Sequence, residues 1–173
     1  MRKMLIVVDM QNDFIDGALG TAEAVTIVDN VVKEIAKYPA ENIIATRDTH
    51  EENYMDTREG KFLPVPHCIR GSHGWEIADA VKAALGSAKV LDKPTFGSVE
   101  LMEHMAALSR EDALDITLVG LCTDICVVSN AMLIKAALPE AEVSVIADCC
   151  AGVTPESHAA ALKPMAMCQV RIL

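Results

Sequence analysis

Met4-Leu5-Ile6-Val7-Val8 is a run of five apolar residues with no polar position to turn toward water, and Asp9 follows at once. So short and uniform a run reads as a strand buried on both faces, as happens where helices cover both sides of a parallel sheet. The pattern then alternates along the chain. Residues 22–38 read as a helix, with Val25, Val28, Val32, Ile35 and Ala36 on one face and Pro39 closing it. Residues 42–46 read as the second strand and 88–92 as the third, which ends at Lys93-Pro94. Helices are expected over 74–85 and over 99–108, the latter capped by Ser98.

Ile116 to Val119 reads as the fourth strand, with a tight turn at Gly120 and a helix from Thr123 or Asp124 to about Leu138. Strand five spans 143–147 and delivers Asp148 at its end. Thr154-Pro155-Glu156 opens a last helix to about Met167, in which Pro164 should introduce a kink or an early stop. Residues 169–173 close as strand six. Six short strands separated by helices specify an α/β fold: one three-layer α/β/α, Rossmann-like domain over residues 1–173 with a mostly parallel sheet. Residues 47–73 lack periodicity, and a loop of that length rich in His and Asp points to function.

Composition removes several function classes. The net charge is −10 and basic residues never cluster beyond a pair, which argues against nucleic acid or an anionic membrane as partner. Only five apolar residues separate Met1-Arg2-Lys3 from Asp9, too few for a secretory core or a membrane span. The six cysteines form no CxxC pair, so reduced thiols in a cytoplasmic protein are expected.

In open parallel sheets, sites form beyond the carboxyl ends of the strands, near the point where strand order reverses. At that edge the chain delivers Asp9, Asp48 with His50, Lys93, Cys126 and Asp148. Cys126 alone could be a small buried core residue. Its place in the first turn of a helix, where free N–H groups favour a thiolate, and its company at the edge point to a nucleophile instead. Asp9, partly desolvated, has the character of a general base, and Lys93 can balance the charge. The competing reading of Asp9 and Lys93 is an ordinary buried ion pair. With Asp9 as base, replacing it by Asn should slow alkylation of Cys126. Asp48, His50 and His67 supply three metal-ligand types with open positions, the pattern of a catalytic ion; a hydrogen-bonded polar loop is the alternative. Trp75 reads as a packing anchor, His73 and His104 as solvated, and Cys149 and Cys150 as core or pocket wall.

Val7 to Phe14, Asp48-Thr49-His50, His67 to Ser72, Lys93 to Ser98 and Gly120 to Val127 together resemble the isochorismatase-like cysteine hydrolases, whose best-known amidases are the nicotinamidases. The match spans nearly the whole chain in the family's order. The resemblance implies a catalytic Asp9, Lys93 and Cys126, a cis peptide bond at Leu121–Cys122, and an oxyanion hole from the N–H groups of Cys122 and Cys126. It implies a substrate pocket with Phe14, Tyr54 and Leu121, although Phe14 alone could equally be core. It also implies a divalent metal, zinc by preference, on Asp48, His50 and His67, no organic cofactor, and a homodimer or tetramer.

The reaction expected is hydrolysis of a small carboxamide through a thioester. The chain departs from the nicotinamidase pattern at Tyr54, where a further histidine ligand is common, and at Leu63-Pro64-Val65-Pro66, which lacks a pocket tryptophan. An amide other than nicotinamide therefore stays open. The alternatives are isochorismatase-type vinyl-ether hydrolysis, against which Cys126 argues, and an inactive family member acting as a binding protein.

Overall fold

A computed structural model describes all 173 residues. The strands are β1 (Arg2–Val8), β2 (Ile43–Asp48), β3 (Lys89–Lys93), β4 (Leu114–Leu121), β5 (Glu142–Ala151) and β6 (Arg171–Ile172). All pairs are parallel, in the order β3-β2-β1-β4-β5-β6. The helices are α1 (Asn12–Ile15), α2 (Ala22–Ile35), α3 (Arg58–Phe62), α4 (Asp79–Leu85), α5 (Val99–Leu108), α6 (Val128–Ala137) and α7 (Pro155–Met167).

The run that opens β1 behaves as its composition dictates. Met4, Ile6 and Val8 pack to one side with residues of α5, α6 and α7, while Leu5 and Val7 pack to the other with α2 and α4. Each side is a layer of aliphatic residues, so the sheet is closed to water on both faces. The chain builds outward from β1 to β3, then returns to the centre for β4 and builds the other way. The strand order thus reverses between β1 and β4, whose carboxyl ends carry Asp9 and the turn before Cys126.

Gly120 makes this seam possible. It lies inside β4 at φ +116°, and a Cβ there would fall 2.1 Å from the Val8 carbonyl oxygen. Only a residue without a side chain fits. It is therefore a strand position rather than the expected turn.

Several other expectations are corrected. The buried stripe of α2 is Ala24, Ile27, Val31 and Ile35, while Val25 is exposed. Two apolar stripes one position apart exist in this segment, and contact with the sheet chooses between them. Residues 74–78 are not helical, because their backbone pairs with the segment after β1: Asn12 N–H donates to Glu76, Asp13 N–H to Gly74, and Ala78 N–H to Met10. Residues 47–73 hold a short helix, α3, capped by the Thr57 hydroxyl.

Pro164 neither stops nor shortens α7. It sits in an exposed stretch near the helix end, and Ala160, whose carbonyl loses a partner there, is exposed as well. β5 runs past Ala147 to Ala151, with a register shift that pairs Leu118 with Val145 but Gly120 with Cys150. The extra residues bulge, and Asp148 faces solvent instead of the site edge.

Candidate active site

Three strand ends converge. Asp9, at φ +45° just past β1, has its Oδ1 fixed by the Thr46 hydroxyl of β2 at 2.6 Å. Its Oδ2 faces the Lys93 ammonium at the end of β3, 2.6 Å away, and makes no hydrogen bond of good geometry. Lys93 Nζ also reaches Cys126 Sγ at 3.4 Å, the Thr95 carbonyl at 3.1 Å and Asp48 Oδ1 at 3.5 Å. Both charged side chains are wholly buried.

Burial raises the Asp9 carboxyl, and the Lys93 charge opposes that rise. Burial also works against the ammonium, but Asp9, Cys126 and Asp48 outweigh it and hold Lys93 above the usual lysine range. The Cys126 thiol is pushed well up by burial and by the Asp9 charge. The Lys93 ammonium thus stands between the Asp9 carboxyl and the Cys126 thiol, all three out of water.

Cys126 sits on a wide π-helical turn, Thr123–Val127, that leads into α6. Neither Thr123 nor Asp124 caps this helix. The Thr123 hydroxyl pairs with His158 Nδ1 at 2.8 Å, and the Asp124 carboxylate accepts the Val153 N–H at 3.2 and 3.3 Å. These bonds tie the cysteine turn to the start of α7. The Leu121–Cys122 peptide bond is cis.

Asn130 is a residue the sequence reading missed. From α6 its amide donates to the Cys126 and Phe96 carbonyls, and its oxygen accepts the Ser98 N–H at 2.8 Å. It thereby holds the cysteine turn against the loop that follows Lys93. The available signal was an amide one turn after Cys126 on a buried helix face.

The second cluster lies next to Lys93. Asp48 Oδ2 is 3.0 Å from His50 Nε2 and 3.5 Å from His67 Nε2, and Glu59 Oε1 is 3.6 and 3.7 Å from the same two nitrogens. Ligand atoms of the four residues lie within 4.8 Å of one another. His67 Nδ1 donates to the Val65 carbonyl at 2.9 Å, which orients its Nε2 toward the cluster. Metal bonds of about 2.0–2.2 Å place neighbouring ligand atoms roughly 3–4 Å apart, so this donor set fits a divalent cation. Burial pushes Asp48 up, but hydrogen bonds from His50 and His67 and the charge of Lys93 outweigh it and hold it below the usual carboxylate range.

The Asp48 backbone is itself clamped. Gln11, fully buried, accepts its N–H at 2.7 Å and donates to its carbonyl at 2.8 Å. Trp75 anchors the neighbouring loop, its indole N–H on the Thr49 hydroxyl and the Arg47 guanidinium stacked 3.6 Å above its ring.

The isochorismatase domain model matches residues 3–173. The chain belongs to the isochorismatase family. It is 25% identical over 186 residues to the nicotinamidase/pyrazinamidase of Mycobacterium tuberculosis (strain ATCC 25618 / H37Rv), an alignment covering 99% of this chain and 98% of that one. The fold superimposes on pyrazinamidase of Pyrococcus horikoshii, solved in complex with zinc, with a TM-score of 0.80 and 30% identity over 100% of this chain and 99% of the other. Pyrazinamidase/nicotinamidase from Streptococcus mutans UA159 gives a TM-score of 0.80 at 25% identity, with 99% of each chain covered.

Within this isochorismatase-family fold, Asp9, Lys93 and Cys126 meet, as do Asp48, His50 and His67. Phe14 and Leu121 line a cavity beside Cys122. Tyr54 does not line it: the ring packs edge-on against His50 and His67, and its hydroxyl donates to the Leu63 carbonyl at 2.9 Å. It packs against the two imidazoles of the acid–histidine cluster. Glu59, unremarked in the sequence, completes the cluster. Its α3 helix folds the acid back over the histidines, a placement that no spacing within a non-periodic loop announces.

Proposed function

We propose that this isochorismatase-family protein hydrolyses a small carboxamide with Cys126 as nucleophile, Asp9 as proton carrier and Lys93 as charge balance. The observation that carries this reading is the single cation placed 2.6 Å from Asp9 and 3.4 Å from Cys126. An ordinary buried ion pair has no need of a thiol beside it.

The steps balance as follows. Asp9 takes the thiol proton as Cys126 Sγ attacks the amide carbon, and the carbonyl oxygen gains the negative charge. The N–H groups of Cys122 and Cys126 would receive that charge, each such donor being worth about 10²–10³ in rate. Asp9 then gives its proton to the departing nitrogen, the C–N bond breaks, ammonia leaves and a thioester remains. Water attacks the thioester, loses a proton to Asp9, and the acid is released as the thiol reforms. Lys93 keeps its charge throughout.

Asp48, His50, Glu59 and His67 would hold a divalent ion, with zinc suited to two imidazoles and two carboxylates. Bound there, the ion supplies a Lewis-acid contact that orients a neutral donor atom of the substrate beside the thiol. No helix is long and apolar enough to cross a membrane.

The test is ammonia release from nicotinamide and other primary amides by the wild-type chain and by Cys126→Ala, with and without a chelator. Release lost with the sulfur supports the reading, and release retained by Cys126→Ala removes it.

A further inference from the structure

The short stretch that follows Asp9 reaches the acid–histidine cluster twice. Gln11 clamps the backbone of Asp48. Two positions further on, Asp13 does the equivalent for the histidines. Its Oδ2 accepts the N–H of Cys68 at 2.7 Å, and its Oδ1 accepts the N–H of Ala18 at 3.3 Å.

Cys68 is the residue on which both imidazoles depend. It follows His67 directly, is wholly buried, and has a left-handed backbone at φ +47°. A residue with a side chain keeps that conformation only where its surroundings enforce it. The Cys68 carbonyl accepts the N–H of His50 at 3.0 Å, and the His50 carbonyl accepts the N–H of Arg70 at 2.9 Å. The backbone of Cys68 is thus joined to His67 by the chain and to His50 by a hydrogen bond. Its own N–H is satisfied by the Asp13 carboxylate, and a bond to an ionised acceptor is short and strong.

Gly74 leaves the space that this carboxylate fills. A Cβ there would fall 2.1 Å from Asp13 Oδ2 and 2.3 Å from Oδ1, with the carboxylate carbon between them. The three atoms nearest to such a Cβ all belong to that one carboxylate, so a methyl at position 74 acts first on Asp13. The Asp13 N–H donates to the Gly74 carbonyl at 3.0 Å, which fixes the two residues against each other.

We propose that Asp13 is a positioning residue for the cation site: through the Cys68 backbone its carboxylate sets the spacing of His50 and His67, and Gly74 keeps that carboxylate in place. The proposal rests on the divalent-ion reading of Asp48, His50, Glu59 and His67, and adds two residues that would not themselves bind the ion.

The test is the zinc dissociation constant, read by competition with a chromophoric chelator, for the wild-type chain, Asp13→Ala, Gly74→Ala and the double variant. Urea unfolding of each metal-free chain shows that it is folded. Loss of a group that orients a metal ligand weakens binding about 10–100-fold, and each single variant should show that loss. Because Gly74 acts through Asp13, the double variant should bind zinc no more weakly than Asp13→Ala, instead of showing the product of two losses. The visible ligand-field bands of the cobalt-loaded chain should change in both single variants. Should Asp13→Ala not fold, Gly74→Ala, which keeps every hydrogen-bonding group, carries the comparison.

Wild-type zinc affinity and cobalt bands in folded variants, with only their stability lowered, overturn the proposal and leave Asp13 a structural stitch. Losses that multiply in the double variant overturn the link through Gly74. No zinc binding by the wild-type chain removes the underlying divalent-ion reading, and this proposal falls with it.

Discussion

Asp9 and Lys93 are two opposite charges held out of water with 2.6 Å between them, and Cys126 is the third member of that set. Such a pair stands because each member neutralises the other, and removing one leaves the other stranded. Lys93→Ala is therefore expected to cost about 3–5 kcal/mol in urea unfolding, besides abolishing turnover. Cys126→Ala should remove turnover with far-UV circular dichroism unchanged.

Asp9→Asn separates two roles. The Asp9 charge raises the thiol and the Lys93 charge lowers it. Losing the carboxylate leaves Lys93 to act alone, so Cys126 should ionise and alkylate at lower pH than in the wild type, while turnover drops about 10²–10⁴-fold for want of a proton carrier. This reverses the sign expected from the sequence, where Asp9 figured only as a base. A rate-versus-pH profile of iodoacetamide labelling reads the shift directly, and slower labelling at neutral pH would contradict this electrostatic ordering. Asp9, Lys93 and Cys126 were legible because each follows directly on an apolar strand or its turn. Glu59, Gln11 and Asn130 were not, because their roles depend on backbone atoms more than thirty positions away or on a fold-back within a non-periodic loop.

The elements owe their placement to a few side chains that satisfy backbone groups across the sheet edge. Asn130 joins the turn of Cys126 to the loop after β3, so truncating it orphans one buried N–H and two carbonyls. Asn130→Ala should cost about 2–4 kcal/mol in urea unfolding and lower kcat as the thiol loses its fixed distance from Lys93. Strand identity and helix order could be read from hydrophobic runs, since a parallel sheet buried on both faces leaves that signature. Helix faces and starts were less legible. The stripe of α2 was ambiguous by one position, and residues 74–78 were claimed by backbone partners near residue 12 that local pattern does not contain. The bulge in β5 that turns Asp148 outward is likewise set by pairing with β4.

At the scale of the whole molecule, a metal held by four residues from β2 and the loop beyond it would tie that loop to the sheet. Zinc at about a hundred times its dissociation constant should stabilise the fold by about 2.7 kcal/mol, seen as a higher Tm that a chelator reverses. Glu59→Gln should diminish that gain, and a Tm indifferent to zinc would remove the ion from the site.

The strand order has one more consequence. β3-β2-β1 and β4-β5-β6 are each contiguous in the chain, and they meet at a single seam between β1 and β4. Asp9 and Lys93 belong to the first half and Cys126 to the second. Any opening of that seam parts thiol from base while both halves still keep their own hydrogen bonds. Catalysis is thus the most sensitive gauge of the intact sheet: along a denaturant titration, turnover should vanish no later than the earliest spectroscopic sign of unfolding.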